Sequence, residues 1–172
     1  MTAADDRGLE DLLERLRTRF YGKYRGIVSN VDAATMRVKA KVPSVLGEKD
    51  TGWCMPCVPY AGPGVGFAFL PETGSGVWIE FEGGDVSFPI WVGGYWRQGE
   101  FPADAADHVK VILTKAPNKF ELNDDQGSIT LSDPNGNTVT LDSSGITLAN
   151  GQSTVVVSSS SVSVNDGALE VQ

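Results

Sequence analysis

The stretch "GQSTVVVSSSSVSVNDGALEVQ", residues 151–172, alternates valine with serine and contains no Lys, Arg or aromatic residue. Successive side chains of an extended strand point to opposite faces, so each short segment directs its valines one way and its serines the other. Two apolar side chains per segment are too few for one chain to build a core. This stretch is therefore predicted to be β structure that needs another surface to cover it.

The same pattern begins at residue 120. Seven short strands are predicted, and turn-forming segments separate them: "FEL", "SITL", "TVTL", "ITL", "VVV", "VSV" and "LEV". Their last apolar residues recur at a period of about eight residues. Burying two apolar side chains gives roughly 3–6 kcal/mol, whereas ordering eight residues costs roughly 8–16 kcal/mol. Three copies can instead form the walls of a triangular prism, with backbone hydrogen-bond ladders between the chains. The apolar side chains of each copy are then buried against those of the others.

Residues 120–172 are therefore predicted to form a C-terminal intertwined triple-stranded β-helix in a homotrimer. The predicted trimer core consists of the apolar strand residues Leu122, Ile129, Leu131, Val139, Leu141, Ile146, Leu148, Val155, Val157, Val162, Val164, Leu169 and Val171.

Upstream of a linker predicted at 96–119, residues 24–95 also favour an all-β fold. "YRGIVSNVD" and "MRVKAKV" alternate apolar and polar residues around a turn at 32–35, which predicts a hairpin. A polar loop is predicted at 43–52, and further short strands follow. An antiparallel set of this size that curls on itself indicates a small barrel of the OB type.

Residues 1–23 contain an amphipathic helix, predicted from about residue 9 to residue 19. Its apolar positions follow one face of a helix: Leu9, Leu12, Leu13, Leu16 and Phe20. This stripe either docks on the barrel of its own chain or contacts a hub protein or another subunit. The second interpretation is preferred, because a five-stranded barrel closes its own core.

The charge distribution excludes one class of partner. The formal net charge is -8, and ten of the fourteen Lys and Arg lie in residues 1–50, whereas residues 120–172 have none. Binding to a phosphate backbone requires clustered cations, so no nucleic acid is expected. No segment is typical of a membrane span or a signal peptide, and the chain is expected to be assembled in the cytoplasm with reduced cysteines.

Several segments carry a family likeness: "GIVSNVD" (26–32), "MRVKAKVP" (36–43), "GW" (52–53), "PETGSGVWIEFEGGD" (71–85) and "PIWVGG" (89–94). They resemble the OB domain of phage baseplate assembly protein V and the related spike proteins of contractile tails, over roughly residues 22–96. The resemblance implies a barrel, a linker and a trimeric β-helix that together form a structural central spike. Such a spike is the membrane-puncturing tip of a phage tail, a tailocin or a phage-like contractile injection system.

The resemblance also implies partners: a baseplate hub protein, through it the inner tube, a PAAR-type tip protein at the apex, and transiently the target envelope. The predicted linker is too short for the lysozyme domain of some relatives, so no enzymatic activity is expected. No His-x-His follows His108, so the iron site of other relatives is not expected either. The sequence predicts no catalytic residue, metal or cofactor.

Other interpretations were weighed against the spike. "WCMPC" at 53–57 matches a thioredoxin-like redox motif, but the prolines and glycines after it oppose the helix that activates such a thiol. His108 and the carboxylates of Glu72, Glu80, Glu82 and Asp85 are interpreted as solvated groups, and the four tryptophans as core and subunit-contact anchors. A receptor- or carbohydrate-binding trimeric fibre is the alternative of another class.

Overall fold

The structure is a computed structural model that describes the backbone of residues 3–171 and the side chains of residues 8–14 and 17–169. The chain divides into two compact units, Met1–Gly99 and Glu100–Gln172. Across the described backbone, no helix is long and apolar enough to cross a membrane.

In the described residues the first unit combines two α-helices, a one-turn 3-10 helix at Glu82–Gly84 and two small sheets. In chain order its elements are α1 (Ala3–Thr18), β1 (Tyr24–Asp32), β2 (Arg37–Lys41), α2 (Pro43–Leu46), β3 (Met55–Pro56), β4 (Ala61–Gly62), β5 (Val65–Gly66), β6 (Gly76–Phe81) and β7 (Pro89–Tyr95).

The five-stranded sheet of this unit is curled, with the strand order β2-β1-β6-β7-β3. Its two edges meet where Val38 of β2 bridges Cys54, just before β3. All neighbours are antiparallel except β3 and β7. The parallel pair follows from closure, because an odd number of strands in a ring cannot alternate direction everywhere. The curled sheet is consistent with the OB fold expected from the sequence.

The core of the first unit lies inside this sheet. Its members come from alternate positions of the strands, as the period-two pattern predicts: Val28, Val38, Ala40, Val42, Cys54, Val77, Ile79, Phe81 and Trp91. The buried Thr51 is satisfied as well, since its Oγ1 accepts a hydrogen bond from the Ala40 amide at 3.0 Å.

Two details of the first unit differ from the sequence-based expectations. Helix α1 begins at Ala3, six residues before the predicted start, because its first turns lack the apolar period that marks a helix in a sequence. The segment 43–52, predicted to be a polar loop, begins with the short helix α2, which has Pro43 in its first turn, where a missing amide costs nothing.

The second unit is one eight-stranded sheet. Its strands are β8 (Val109–Leu113), β9 (Lys119–Asn123), β10 (Ser128–Ser132), β11 (Asn137–Asp142), β12 (Gly145–Asn150), β13 (Ser153–Val157), β14 (Val162–Val164) and β15 (Leu169–Val171). Each strand pairs antiparallel with the next along the chain, so the order in the sheet is the order in the sequence.

Two expectations for this unit were wrong in detail. The predicted linker 96–119 contains the strand β8, which pairs with β9 from Val109 to Leu113. The backbone ladders, predicted to run between chains, run within one chain in the described residues. Turns as tight as 143–144 return the chain directly onto its neighbouring strand, so pairing within the chain needs no long loop.

Candidate functional site

One face of the eight-stranded sheet is lined by two continuous columns of apolar side chains, called here the two-column face. Directly paired residues of an antiparallel sheet lie on the same side, so the register defines each column. The first column is Leu122, Ile129, Leu141, Ile146, Val157, Val162 and Val171, and the charged Lys110 occupies its β8 end. The second column is Ile112, Phe120, Leu131, Val139, Leu148, Val155, Val164 and Leu169.

All thirteen residues proposed from the sequence as a trimer core occupy positions in these two columns. For Val171 the backbone register alone gives the position, opposite Val162, because its side chain lies outside the described residues. The structure therefore brings these residues onto one surface. Their contact with other copies stays a prediction.

No element of this unit covers the two-column face. Among residues 100–169, none is buried. Leu131 is 49% exposed and Leu148 is 46% exposed, whereas Thr130 and Thr147 beside them on the opposite face are half-buried. A folded domain normally buries its leucines and exposes its threonines. This sheet shows the opposite pattern, so it does not bury its own apolar side chains.

From β9 onward the opposite face is mostly polar, whereas β8 contributes Val109, Val111 and Leu113 to it. Glu121, Thr130, Thr140, Thr147 and Ser163 follow one another across it, with Val156 between the last two. β-Branched threonines favour strands, and their hydroxyls suit a surface in water. The sheet therefore has one face for water and one for a protein surface.

Asp133 shapes the turn between β10 and β11. Its carboxylate accepts hydrogen bonds from the backbone amides of Asn135 (3.0 Å) and Asn137 (2.9 Å). The side-chain amides of the same two asparagines donate at 3.1 and 2.8 Å. These bonds, with the Asn137 side chain as the largest cause, lower the pKa of Asp133 to about 2.

The two-column face ends at β8. Lys110 replaces an apolar residue there, and its ammonium lies 3.9 Å from Asp124. Lys119 contacts Glu121 at 2.9 Å and Asp104 at 3.0 Å, which raises the pKa of the lysine and ties residue 104 to β9. The Lys110–Asp124 pair lies where the apolar surface stops, whereas Lys119 and Glu121 lie on the opposite face of the sheet.

Sequence reasoning missed two members of the face, Ile112 and Phe120. Ile112 was overlooked because β8 fell within the predicted linker. The alternation in "VKVIL", followed by the turn segment "TKAPN", is the signal that could have found it. Phe120 lies in a predicted strand, and its pairing with Leu131 places it in the second column.

The stripe on α1 is only partly available for a partner. Leu9, Leu12 and Leu13 are exposed, while the side chain of Leu16 lies outside the described residues. Phe20 must be removed from the candidate hub contacts, because its ring packs on Tyr24 and Phe81 of its own barrel, with centroids 6.2 and 6.4 Å away.

The chain beside Phe20 is anchored as well. The Phe20 amide donates to the carbonyl of Gly84 at 2.8 Å, and Arg19 pairs with Asp85 at 3.0 Å. Asp85 also accepts a bond from the Ser87 amide, and these contacts lower its pKa. The segment that follows α1 therefore docks on its own barrel, whereas Leu9, Leu12 and Leu13 of the stripe stay exposed.

The "WCMPC" segment lacks the environment of a redox site. Cys54 is buried in the barrel, where its amide bonds to Val38, and Cys57 is exposed. Burial raises the pKa of the Cys54 thiol, partly offset by Thr51 at 3.2 Å. A reactive thiolate needs a lowered pKa, so the geometry disfavours dithiol chemistry here.

Two of the candidate carboxylates form ion pairs within the chain. Glu80 pairs with Lys23, as Asp85 does with Arg19. Within the described residues, no group of three or more His, Cys, Asp or Glu side chains is placed to hold a metal ion.

The tryptophans divide into two sets. Trp91 belongs to the core, as expected, whereas Trp53 and Trp96 are exposed. Arg25 lies over the ring of Trp78 at 5.6 Å, and Lys39 lies over that of Trp53 at 5.0 Å. Both cations come from the first hairpin, Arg25 from β1 and Lys39 from β2.

Comparison with known families agrees with both units. Residues 24–96 match the type VI secretion system/phage-baseplate injector OB domain. Residues 109–170 match the phage baseplate V C-terminal trimerisation domain. The chain belongs to the phage baseplate V and type VI secretion spike family. No individual curated protein matches the chain.

This family membership confirms the resemblance seen in the sequence and makes the chain a baseplate spike component of the structural kind. The second match begins at Val109, the first residue of β8, and so includes the strand that the sequence-based boundaries had left in the linker. It also covers nearly the whole of the two-column face.

Proposed function

We propose that three copies of this chain assemble through their two-column faces into a triangular prism, the trimeric β-helix. The observation that carries the proposal is an uninterrupted apolar surface, seven strands long from β9 to β15, that nothing in its own unit covers. Full burial of each large side chain contributes about 1.5–3 kcal/mol. The match to a trimerisation domain supports three as the number of copies.

The assembled trimer serves as the central spike of a contractile phage tail, tailocin or phage-like injection system, below the hub and tube. Eight strands spaced about 4.8 Å apart give a prism on the order of 34 Å tall. Its outer surface carries threonines, serines and acidic turns, and no Lys or Arg follows residue 119. Such a surface repels anionic lipid head groups and so slides past a membrane. The role is mechanical and non-enzymatic.

A central spike in this position has two further partners, one at the α1 end and one at the apex. The exposed leucines of α1 contact the hub, which joins the spike to the inner tube, and a PAAR-type protein covers the apex. An apolar helix stripe fits a groove of complementary shape, as amphipathic helices generally do. The exposure of Leu9, Leu12 and Leu13 supports a partner for the helix.

The test compares two variants of strand β10, and each variant adds one negative charge to a different face of the sheet. Leu131→Asp puts a carboxylate into the trimer core, whereas Thr130→Asp puts it on the outer face. Light scattering of the full chain should give a mass of three times 18.3 kDa for the parent and for Thr130→Asp. Leu131→Asp should lose the trimer, because an unpaired buried charge costs several kcal/mol.

A monomeric parent would refute the trimer and with it the spike. Equal trimer content in both variants would show that the copies do not meet through the two-column face.

A further inference from the structure

The longest charge-free part of the first unit is the segment Thr51–Pro71, which has no Asp, Glu, Lys, Arg or His. Strands β4 and β5 form a hairpin inside it. Every residue from 59 to 69 is exposed, and we call this part the hairpin surface. It contains four large apolar side chains: Tyr60, Val65, Phe67 and Phe69.

The hairpin is an ordered element with a defined turn. Gly62 pairs with Val65 across Pro63 and Gly64. Gly64 adopts φ +72°, the conformation that the third residue of a proline turn requires. The Phe67 amide donates to the carbonyl of Tyr60 at 2.8 Å. The chain is anchored on both sides of the hairpin, since Val58 before it and Leu70 after it pack against the barrel core.

The hairpin exposes its aromatic side chains. The rings of Phe67 and Phe69 stack on each other with centroids 4.6 Å apart, yet Phe69 is 52% exposed and Tyr60 is 60% exposed. A two-stranded hairpin is marginally stable in water by itself, and glycines 62, 64 and 66 supply no side chain to shield the rings. A clustered apolar surface of this kind marks an interaction site.

We propose that the hairpin surface packs against the same surface of other copies of this chain. The inference rests on the proposed trimer, whose C-terminal contacts tether the barrels to one another. Tethering raises the effective concentration of the hairpins to about the millimolar range, so a small contact is sufficient. Residues 1–99 contain eleven Lys and Arg against twelve Asp and Glu, so the first units of two copies carry almost no net charge. A charge-free apolar surface on a nearly neutral unit can therefore meet its own copy without repulsion.

A cross-linking experiment tests this contact in the full-length chain. The exposed Cys57 is changed to Ala, and Val65→Cys is added at the hairpin. The control carries Ala33→Cys, an exposed position in the β1–β2 turn. Both proteins are treated with a short bismaleimide and separated under denaturing conditions. The hairpin cysteine should give covalent dimers in severalfold higher yield than the control.

A further variant separates packing from mere tethering. Phe67→Ser with Phe69→Ser, added to the hairpin cysteine, should reduce the dimer yield severalfold while light scattering still reports a trimer. A trimer with equal cross-linking at both positions would overturn the hairpin contact and leave the proposed spike intact. A monomer by light scattering would overturn both.

Lipid is the competing occupant, because an uncharged aromatic loop also suits a membrane interface. Flotation with neutral phosphatidylcholine vesicles decides between them. Binding by the parent that disappears in the Phe67→Ser, Phe69→Ser variant would overturn the proposed self-contact. No binding by either protein, together with the cross-linking result, supports it.

Discussion

Asp133 shows how one side chain specifies a turn. Four hydrogen bonds converge on its carboxylate from two asparagines, and all four require an acceptor. The ionised form accepts them best, which is why the pKa is lowered to about 2 from an ordinary value of 3.8. The turn between β10 and β11 is therefore stabilised by the charge itself.

A prediction about pH follows from that lowered pKa. A carboxylate with a lowered folded-state pKa contributes its stability above the unfolded pKa and loses it as the pH falls through the folded pKa. Asp133→Asn should lower the thermal midpoint at pH 7, and the difference from the parent should vanish on going from about pH 4 to about pH 2. Calorimetry across that range measures it, and a difference independent of pH would contradict this account of the turn.

Gly145, at the start of β12, is a position where the sheet excludes any other residue. Its φ is +131°, and a Cβ built on it would lie 2.1 Å from the carbonyl oxygen of Val157 on β13. Gly127, in the turn before β10, provides a contrast, because its φ is +59° and a Cβ would meet open space. The first glycine is required by pairing and the second by the turn.

The matched substitutions test that distinction. Gly127→Ala should cost about 1–2 kcal/mol, the strain of a left-handed backbone. Gly145→Ala should cost more, because β12 and β13 must also separate to admit the methyl group. Thermal unfolding of both variants measures the costs, and equal losses would show that the contact with Val157 relaxes freely.

The sequence predicted the elements better than their connections. Alternation identified seven strands of the second unit, because each directs its apolar residues to one side. It could not show that they pair within the chain, since Ile129 fits opposite Leu141 of its own chain or of a neighbour equally well. Strand β8 was missed because it lay within the predicted linker, and of its two residues on the two-column face only Ile112 is apolar, since the other is Lys110.

The helix stripe was predicted only in part. Leu9, Leu12 and Leu13 are exposed, as a docking stripe would be. Phe20 continues the same period, yet it contacts the barrel, because the helix ends at Thr18 and the chain turns before reaching it. A periodic pattern does not reveal where the helix that carries it ends.

For the molecule as a whole, the two units differ in what holds them together. The buried apolar residues of the described chain all lie between Val28 and Trp91, so the barrel has its own core. The eight-stranded sheet has none. The barrel is therefore expected to fold alone, whereas the sheet depends on other copies.

This difference predicts two kinds of thermal transition. The midpoint of the transition that melts the sheet should rise with protein concentration, because association stabilises the folded state by mass action. The midpoint for the barrel should not change. Calorimetry over a hundredfold range of concentration, analysed under reversible conditions, measures both. If the midpoint of the sheet transition does not change with protein concentration, the sheet is stable without partners.

The order of the strands in the sheet also affects how such an assembly is made. Every strand from β8 to β15 pairs with its immediate neighbour in the sequence, and contacts between near neighbours form rapidly because they close short loops. In the proposed trimer, the strand pairing of each wall is therefore completed within its own chain, while the wall becomes stable only when the copies cover its two-column face. If three copies assemble as proposed, no polypeptide has to wind around another, so the three walls would join by surface contact and without topological entanglement.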